Sequence, residues 1–289
     1  MQARQAMADA RVAVVTGASK GMGREMALGL LRSGQSVAAV DNDHASLEEL
    51  RAIAAGEGRA ESLLIVEADL ADTAMIDDAV RRVTAKFARI DILVNNAGVG
   101  QGTIRPDNWM NPIRFWEVTP AQWRKFFAVN ADAQFLLSRA LVPGMISRKW
   151  GRIISVTTSL DSMLRGGFVP YGPTKAATEA CTAVMAADLD GTGVTANILV
   201  PGGPTDTAFI PAAAGFDRST MLRPEIMVAP LLWLVSEAAS DTSARRFIAA
   251  RWDASLPAAK AAELAGGPVA WGALGNQMIK PKWTDAGKQ

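Results

Sequence analysis

The sequence predicts a doubly wound α/β fold: a parallel sheet of about seven strands in a single domain, with helices on both faces. Three observations carry this reading. Short apolar, β-branched runs alternate along the chain with longer amphipathic stretches, as strand–crossover–strand units require. The first run opens directly into a glycine-rich turn and a helix, VAVVTGASKGMGREMALGL. The chain has 289 residues, 49% of them apolar and 20% charged, enough for one large core.

Taken in order, strands are predicted at residues 11–15, 36–40, 62–67, 91–94, 152–156, 194–199 and 246–250. Helices are predicted at 21–33, 45–55, 73–88, 120–148, 173–190 and 224–238. Thr119-Pro120 gives the fourth helix a cap followed by proline in its first turn. Gly34, Gly151 and Gly193 close helices or precede the next strand. Residues 1–9 are expected to be a flexible N-terminus and 10–253 the catalytic domain. Residues 254–289 are expected to be a C-terminal extension packing on the domain or on a neighbouring subunit. Three regions resist the pattern: 99–118, with Trp109 and Trp116; 202–222; and the Ala-, Gly-, Pro- and Trp-rich tail. Long irregular loops in an α/β protein often act as substrate lids.

Composition narrows the chemistry. Thirty basic residues against 29 acidic ones give no electrostatic pull towards nucleic acid or anionic lipid. No apolar run is long enough to cross a bilayer. The N-terminus lacks the separate apolar segment and cleavage site of a secretion signal, so a cytoplasmic location is expected. Cys181 is the only cysteine, which excludes an internal disulfide and a thiolate metal cluster; it reads as a small hydrophobe in a helix. His44 is the only histidine, and a solvated loop position is expected for it. Proton transfer near neutral pH must therefore use another group with a shifted pKa.

In the turn after the first strand, Gly17, Gly21 and Gly23 remove Cβ atoms where the backbone bends tightly and must approach a pyrophosphate. The following helix aims its free N–H groups at the same anion. Ser19, Lys20 and Met22 share that turn. Asp41 ends the next strand, where a carboxylate accepts hydrogen bonds from both ribose hydroxyls and repels a 2′-phosphate; Asp43 adds to the repulsion. Lys20 argues the other way, as a cation that could pair with that phosphate. NAD is favoured over NADP.

Tyr171 and Lys175, in PYGPTKAATEA, stand four residues apart and so share one helix face. A free tyrosine titrates near 10, and a neighbouring ammonium would lower it towards useful acid/base work. Tyr171 is the only tyrosine in the chain.

Across roughly residues 10–250 the sequence resembles the short-chain dehydrogenase/reductase family. Thr16, Gly17, Gly21 and Gly23 match its cofactor turn, and Asp69, beside Leu70, matches its adenine contact. Asn95, Asn96, Ala97 and Gly98 match the NNAG segment that supports the sheet and the adenosine side. Asn130 matches the asparagine that holds a relay water leading to the lysine. Tyr171 and Lys175 match the catalytic pair, and Pro201-Gly202 the turn beside the nicotinamide. Where the family has a serine that holds the substrate oxygen, this chain has Thr158, with Ser159 in reserve. The carboxamide threonine is one residue late, at Thr207, with Thr205 a rival, and SARRFIAARWD replaces a glycine-rich ending.

The resemblance implies a Rossmann-like fold, a homodimer or homotetramer associating through the 120–148 and 173–190 helices, and an NAD(P)-dependent exchange between a secondary alcohol and a ketone. Tyr171 would be the acid/base, and Lys175 would bind the nicotinamide ribose and lower the tyrosine pKa. Thr158 would hold the oxygen and Asn130 the relay water. Trp109, Trp116, Met163, Leu164, Phe168, Phe209 and Ile210 lie on segments expected to rim the pocket, which suits an apolar or aromatic substrate. Arg105, Arg114 and Arg165 are read as solvated, although they could receive an acidic one. Two alternatives stay open: a dinucleotide-binding regulatory protein with weak or no catalysis, and an NADP-dependent ketone or 3-oxoacyl reductase.

Overall fold

The computed structural model describes residues 10–272, so the N-terminus expected at 1–9 and the end of the C-terminal extension lie outside the described residues. Eight strands form one sheet: β1 Val12–Thr16, β2 Ser36–Asp41, β3 Leu63–Glu67, β4 Ile92–Asn95, β5 Gly151–Val156, β6 Val194–Val200, β7 Arg245–Ile248 and β8 Gly266–Pro268. Their spatial order is β3-β2-β1-β4-β5-β6-β7-β8. All neighbouring pairs are parallel except β7 with β8. The order reverses between β1 and β4, and in such sheets ligands bind outside the carboxyl ends of the strands at that point. This is a Rossmann-like, doubly wound fold.

The helices are α1 Gly21–Arg32, α2 His44–Gly56, α3 Thr73–Phe87, α4 Pro120–Phe127, α5 Ala133–Ser147, α6 Leu160–Leu164, α7 Tyr171–Asp188, α8 Val228–Leu234 and α9 Ala258–Ala265. Period-two alternation along the strands feeds two cores. Ala13 and Val15 join a layer with Met26 and Leu30 of α1, Leu50 of α2 and Leu231 of α8. Val12 and Val14 join the opposite layer, with Ile76 of α3, Leu137 and Leu141 of α5 and Ala186 of α7. Short polar side chains start the helices: Asp43 accepts from Ser46 N on α2, Asp72 from Ala74 N on α3, and Thr119 from Gln122 N on α4.

Four boundaries differ from the sequence expectation. The helix expected over 120–148 is interrupted at Ala128–Asp132 by a wider π turn, which carries Asn130. The helix expected over 173–190 begins at Tyr171 itself, two residues before Pro173. The segment 224–238 holds only the short α8 between two 3-10 turns, Pro224–Met227 and Glu237–Ala239. The last expected strand stops at Ile248 and turns through Ala249–Arg251. The eighth strand was not anticipated, because its GGP sequence lacks any β signal. Together with α9 it brings the described part of the C-terminal segment back onto the sheet. No described helix is long and apolar enough to cross a membrane.

Candidate active site

The glycine turn follows β1 at the point where the sheet order reverses. Gly17 and Gly21 have φ of +62° and +52°, the left-handed region that favours glycine. A Cβ on Gly23 would stand 1.9 Å from the Gly17 carbonyl oxygen, so only glycine lets α1 start this close to the turn. Lys20, which precedes α1, makes no side-chain cap, so the first N–H groups of α1 remain available to an anion. Asn96 donates through Nδ2 to the carbonyls of Thr16 (2.9 Å) and Gly17 (3.1 Å). Thr16 Oγ1 accepts from the amides of Asn96 and Ala97, each at 3.0 Å. The NNAG segment therefore holds the turn in shape from below.

Asp41 lies beside this cradle, accepting from the Ser19 amide (3.1 Å) and the Asp43 amide (3.2 Å). Lys20 is tied to Asp43, Nζ to Oδ2, at 2.5 Å. The ammonium and the α2 cap hold the Asp43 carboxyl at about 2, and the ion pair raises Lys20. Asp69 is exposed and accepts from the Ala71 amide, while Leu70 is buried beside it. Across the cleft, Gly202 has φ +99°, and Pro201 accepts from the Ala250 amide at 2.9 Å. A Cβ on Gly21 would meet Thr207 Cγ2 at 2.8 Å, so Thr207 lies over the glycine turn. Thr205 is buried and bridges to Leu222.

At the other end of the cleft, Tyr171 is the first residue of α7 and Lys175 stands one turn later on the same face. Lys175 is buried; its Nζ donates to the Val156 carbonyl at 2.9 Å and lies 5.9 Å from the Tyr171 ring centroid. Burial lowers the ammonium to about 8. Burial pushes the Tyr171 phenol up to about 12, with the Thr158 side chain beside it pulling the other way. In this arrangement burial and Thr158 set the phenol, and the lowering expected from Lys175 does not enter. Ser159 is committed elsewhere, capping α6 by accepting from the Ser162 amide, which leaves Thr158 as the hydroxyl that faces the phenol.

Asn130 is buried and fully engaged. Its Oδ1 accepts from Val99 N (2.7 Å), and its Nδ2 donates to the Val99 carbonyl and to Thr174 Oγ1, both at 3.0 Å. Its own carbonyl accepts from Gln134 Nε2 and Thr178 Oγ1, each at 2.9 Å. Thr174 in turn donates to the Tyr171 carbonyl at 2.7 Å. Thus the π turn clamps the NNAG end to the start of α7. Gly98 makes room for this, since a Cβ there would come within 3.2 Å of Asn130 Oδ1 and 3.5 Å of Lys175 Nζ.

The expected rim divides. Phe209 lies 5.7 Å from the Tyr171 ring, centroid to centroid, and packs over Gly100. Trp116 and Leu164 are 71% and 81% exposed, available to a ligand, whereas Met163 and Phe168 are buried. Trp109 packs edge-on against Phe168 and Phe216. Ile210 is partly buried. Of the arginines, Arg105 pairs with Glu117 at 3.1 Å, Arg165 lies over the Trp109 and Phe168 rings, and the Arg114 amide donates to Glu117. Cys181 is partly buried on α7, and His44 opens α2 within reach of Glu48 and Glu67.

Behind Thr158 lies a group that sequence reasoning missed. Arg246 of β7 and Glu179 of α7 form a buried ion pair, Nη1 to Oε2 at 2.6 Å, joined by Thr157. The signal was present as an arginine in an apolar strand, SARRFIAA, and a glutamate in an apolar helix, KAATEA.

Residues 11–213 match the model of the short chain dehydrogenase family. The chain is 29% identical over 261 residues to fluoren-9-ol dehydrogenase of Terrabacter sp., covering 84% of this chain and 71% of that one. It also resembles a 3-ketoacyl-(acyl-carrier-protein) reductase of Brucella melitensis complexed with NADH. That likeness has a TM-score of 0.68 and 27% identity, over 82% of this chain and 95% of the other. A Beutenbergia cavernae protein described as an NAD(P)-dependent gluconate 5-dehydrogenase, with NADP bound at low occupancy, matches with a TM-score of 0.71. Its identity is 31%, over 82% and 94% of the two chains.

Proposed function

From the premise that the chain belongs to the short-chain dehydrogenase family, and is thus an oxidoreductase acting on CH–OH groups, we propose that it interconverts a secondary alcohol and a ketone with NAD. The observation that carries the proposal is the convergence of Tyr171, Lys175 and Thr158 at the cleft that begins at the glycine turn. The cradle left by Gly17, Gly21 and Gly23 fits a pyrophosphate, with Ser19, Lys20 and Met22 around it. Asp41 would hold the adenosine ribose, Asp69 and Leu70 would border the adenine, and Asn96, Ala97 and Gly98 would support that side. Pro201, Gly202 and Thr207 would line the nicotinamide end, together with Tyr171 and Lys175.

Bound there, the dinucleotide supplies or accepts the hydride. The protein handles the oxygen. Thr158 holds it against the phenol, and Tyr171 delivers a proton to it during reduction or removes one during oxidation. With the phenol held near 12, Tyr171 carries its proton at neutral pH and is poised as the acid of the reducing direction. Oxidation needs the phenolate, which a charged Lys175 stabilises. Asn130 acts by clamping Val99 to Thr174, which keeps Tyr171 and Lys175 in register; the water relay expected of it requires its carbonyl to release Gln134 or Thr178.

NAD is favoured over NADP because Asp41 is aimed at the turn and Lys20 is neutralised by Asp43 rather than free to meet a phosphate. An apolar or aromatic ketone suits Phe209 beside Tyr171 and the exposed Trp116 and Leu164. The fluorenol-oxidising relative supports the same class. Self-association is proposed through α5 and α7, where Phe135 and Val184 are half or more exposed.

The test follows absorbance of the reduced nicotinamide with a panel of aromatic and aliphatic ketones and a 3-oxoacyl thioester, each with NADH and NADPH. Turnover of an aromatic ketone with NADH is expected, and Tyr171→Phe should lose at least 100-fold in kcat, the weight of a general acid, with cofactor affinity retained. Near-normal rates in that variant would remove Tyr171 from the reaction.

A further inference from the structure

We propose that Arg246, held by Glu179, is a positioning residue for the reaction, setting the place of Thr158 and through it of the substrate oxygen. The inference rests on the reading above, in which Thr158 holds that oxygen.

Tyr171, Lys175 and Glu179 stand at successive four-residue steps on α7 and so line one face of it. The first two face the cleft; the third reaches beneath it. Arg246 projects from β7 to meet it, and the two side chains are 8% and 0% exposed. The guanidinium makes three contacts. Nη1 meets Glu179 Oε2 at 2.6 Å and Thr157 Oγ1 at 3.2 Å, and Nη2 donates to the backbone carbonyl of Thr158. Thr157 donates to the same carboxylate oxygen at 2.9 Å. The second carboxylate oxygen accepts the amide of Ala270, just past β8, at 3.2 Å. Every oxygen of the buried carboxylate is thereby answered.

A buried ion pair is an inefficient source of stability, since well-packed apolar residues of similar volume serve as well or better. What such residues cannot supply is a planar fork with one arm on a carboxylate and the other on a chosen carbonyl. Here the chosen carbonyl belongs to the residue whose hydroxyl faces the phenol. The peptide after β5 is fixed from behind by Arg246, while α7, carrying the phenol, is fixed to the same guanidinium through Glu179. The distance between the oxygen holder and the proton donor is therefore set by one shared ion pair. The C-terminal segment, through Ala270, completes it.

The test uses the full-length protein with NADH and the ketone turned over best. Arg246→Lys keeps a cation for Glu179 but loses the second arm of the fork. The expected result is a fall in kcat of about 100-fold, the scale of a misplacement near 1 Å, with NADH affinity by tryptophan quenching unchanged. In a Thr158→Ala background, Arg246→Lys should cost no more than about two-fold, because the residue it acts through is gone. If Arg246→Lys does not fold, the apolar pair Arg246→Met with Glu179→Leu removes the fork while filling the space, and the same losses are expected of it. A folded variant at the wild-type rate, or an equal loss with and without the Thr158 hydroxyl, overturns the inference. Tyr171→Phe separates this from the parent reading: if that variant is dead while Arg246→Lys is fully active, only the positioning role fails.

Discussion

Lys175 shows how a single residue is made by its surroundings. Its ammonium is buried against the Val156 carbonyl and gives up its proton near 8, whereas in an unfolded chain it would hold that proton to about 10.5. Below pH 8 both states are charged, and burial of the charge costs the folded state about 3 kcal/mol. Between 8 and 10.5 the unfolded state binds the extra proton, so stability rises with pH and the cost is relieved. Urea unfolding of wild type and Lys175→Met across pH 7 to about 10.5 should show the difference moving in favour of wild type as pH rises. A constant difference would mean that the lysine titrates normally. Asp41 makes an independent prediction. Its carboxylate is the group that would reject a 2′-phosphate, so Asp41→Ala should cut the NADH-over-NADPH preference in kcat/KM by on the order of ten-fold, about one charged hydrogen bond. An unchanged ratio would place selectivity elsewhere. The types and spacing of these residues were legible in the sequence. Their surroundings were not: that burial raises the phenol, or that Lys20 spends its charge on Asp43, depends on contacts between segments far apart in the chain.

At the scale of elements, the β1–turn–α1 unit is tightly constrained. The carbonyl of Gly17 occupies the space that a Cβ on Gly23 would need, and both atoms belong to backbone that cannot swing away. Gly23→Ala should cost about 1–3 kcal/mol in stability, as overpacking does, and should abolish dinucleotide binding measured by calorimetry. Gly56, at the end of α2, is the control: nothing lies within 4 Å of its Cβ position and its φ is ordinary. Gly56→Ala should stabilise by about 0.5–1 kcal/mol, and a loss there would mean that the turn argument is not specific. The seven expected strands were legible because apolar β-branched runs between helical stretches have few other readings. The π turn at Asn130 was not, since a widened turn uses the same residues as a regular one and is set by the bonds to Val99, Thr174 and Thr178. The eighth strand was equally invisible. It forms because β7 offers an open edge, and the GGP segment brings backbone rather than side chains to it.

For the whole molecule, the open question of surface is the outer face of α5 and α7. Phe135 of α5 is 50% exposed and Val184 of α7 61%, and on α7 the exposed Ala180 and Ala187 flank Val184 at helical spacing, small enough to let another helix approach closely. An apolar face of this kind is where we expect another surface to pack. A two-fold arrangement would let the same patch cover itself, so that one substitution acts twice at each contact. It also has a consequence for the site. Tyr171 and Lys175 are carried at the start of α7, and a helix braced along its outer face holds its first turn more firmly than one in water. The expected outcome is an even-numbered oligomer by light scattering at micromolar concentration. Val184→Glu places a charge at the centre of the patch, where interfaces are depleted of charge, and should shift the mass towards monomer with a loss of kcat. A wild-type protein that is already monomeric, or a variant of unchanged mass, would show that α5 and α7 face solvent for some other reason.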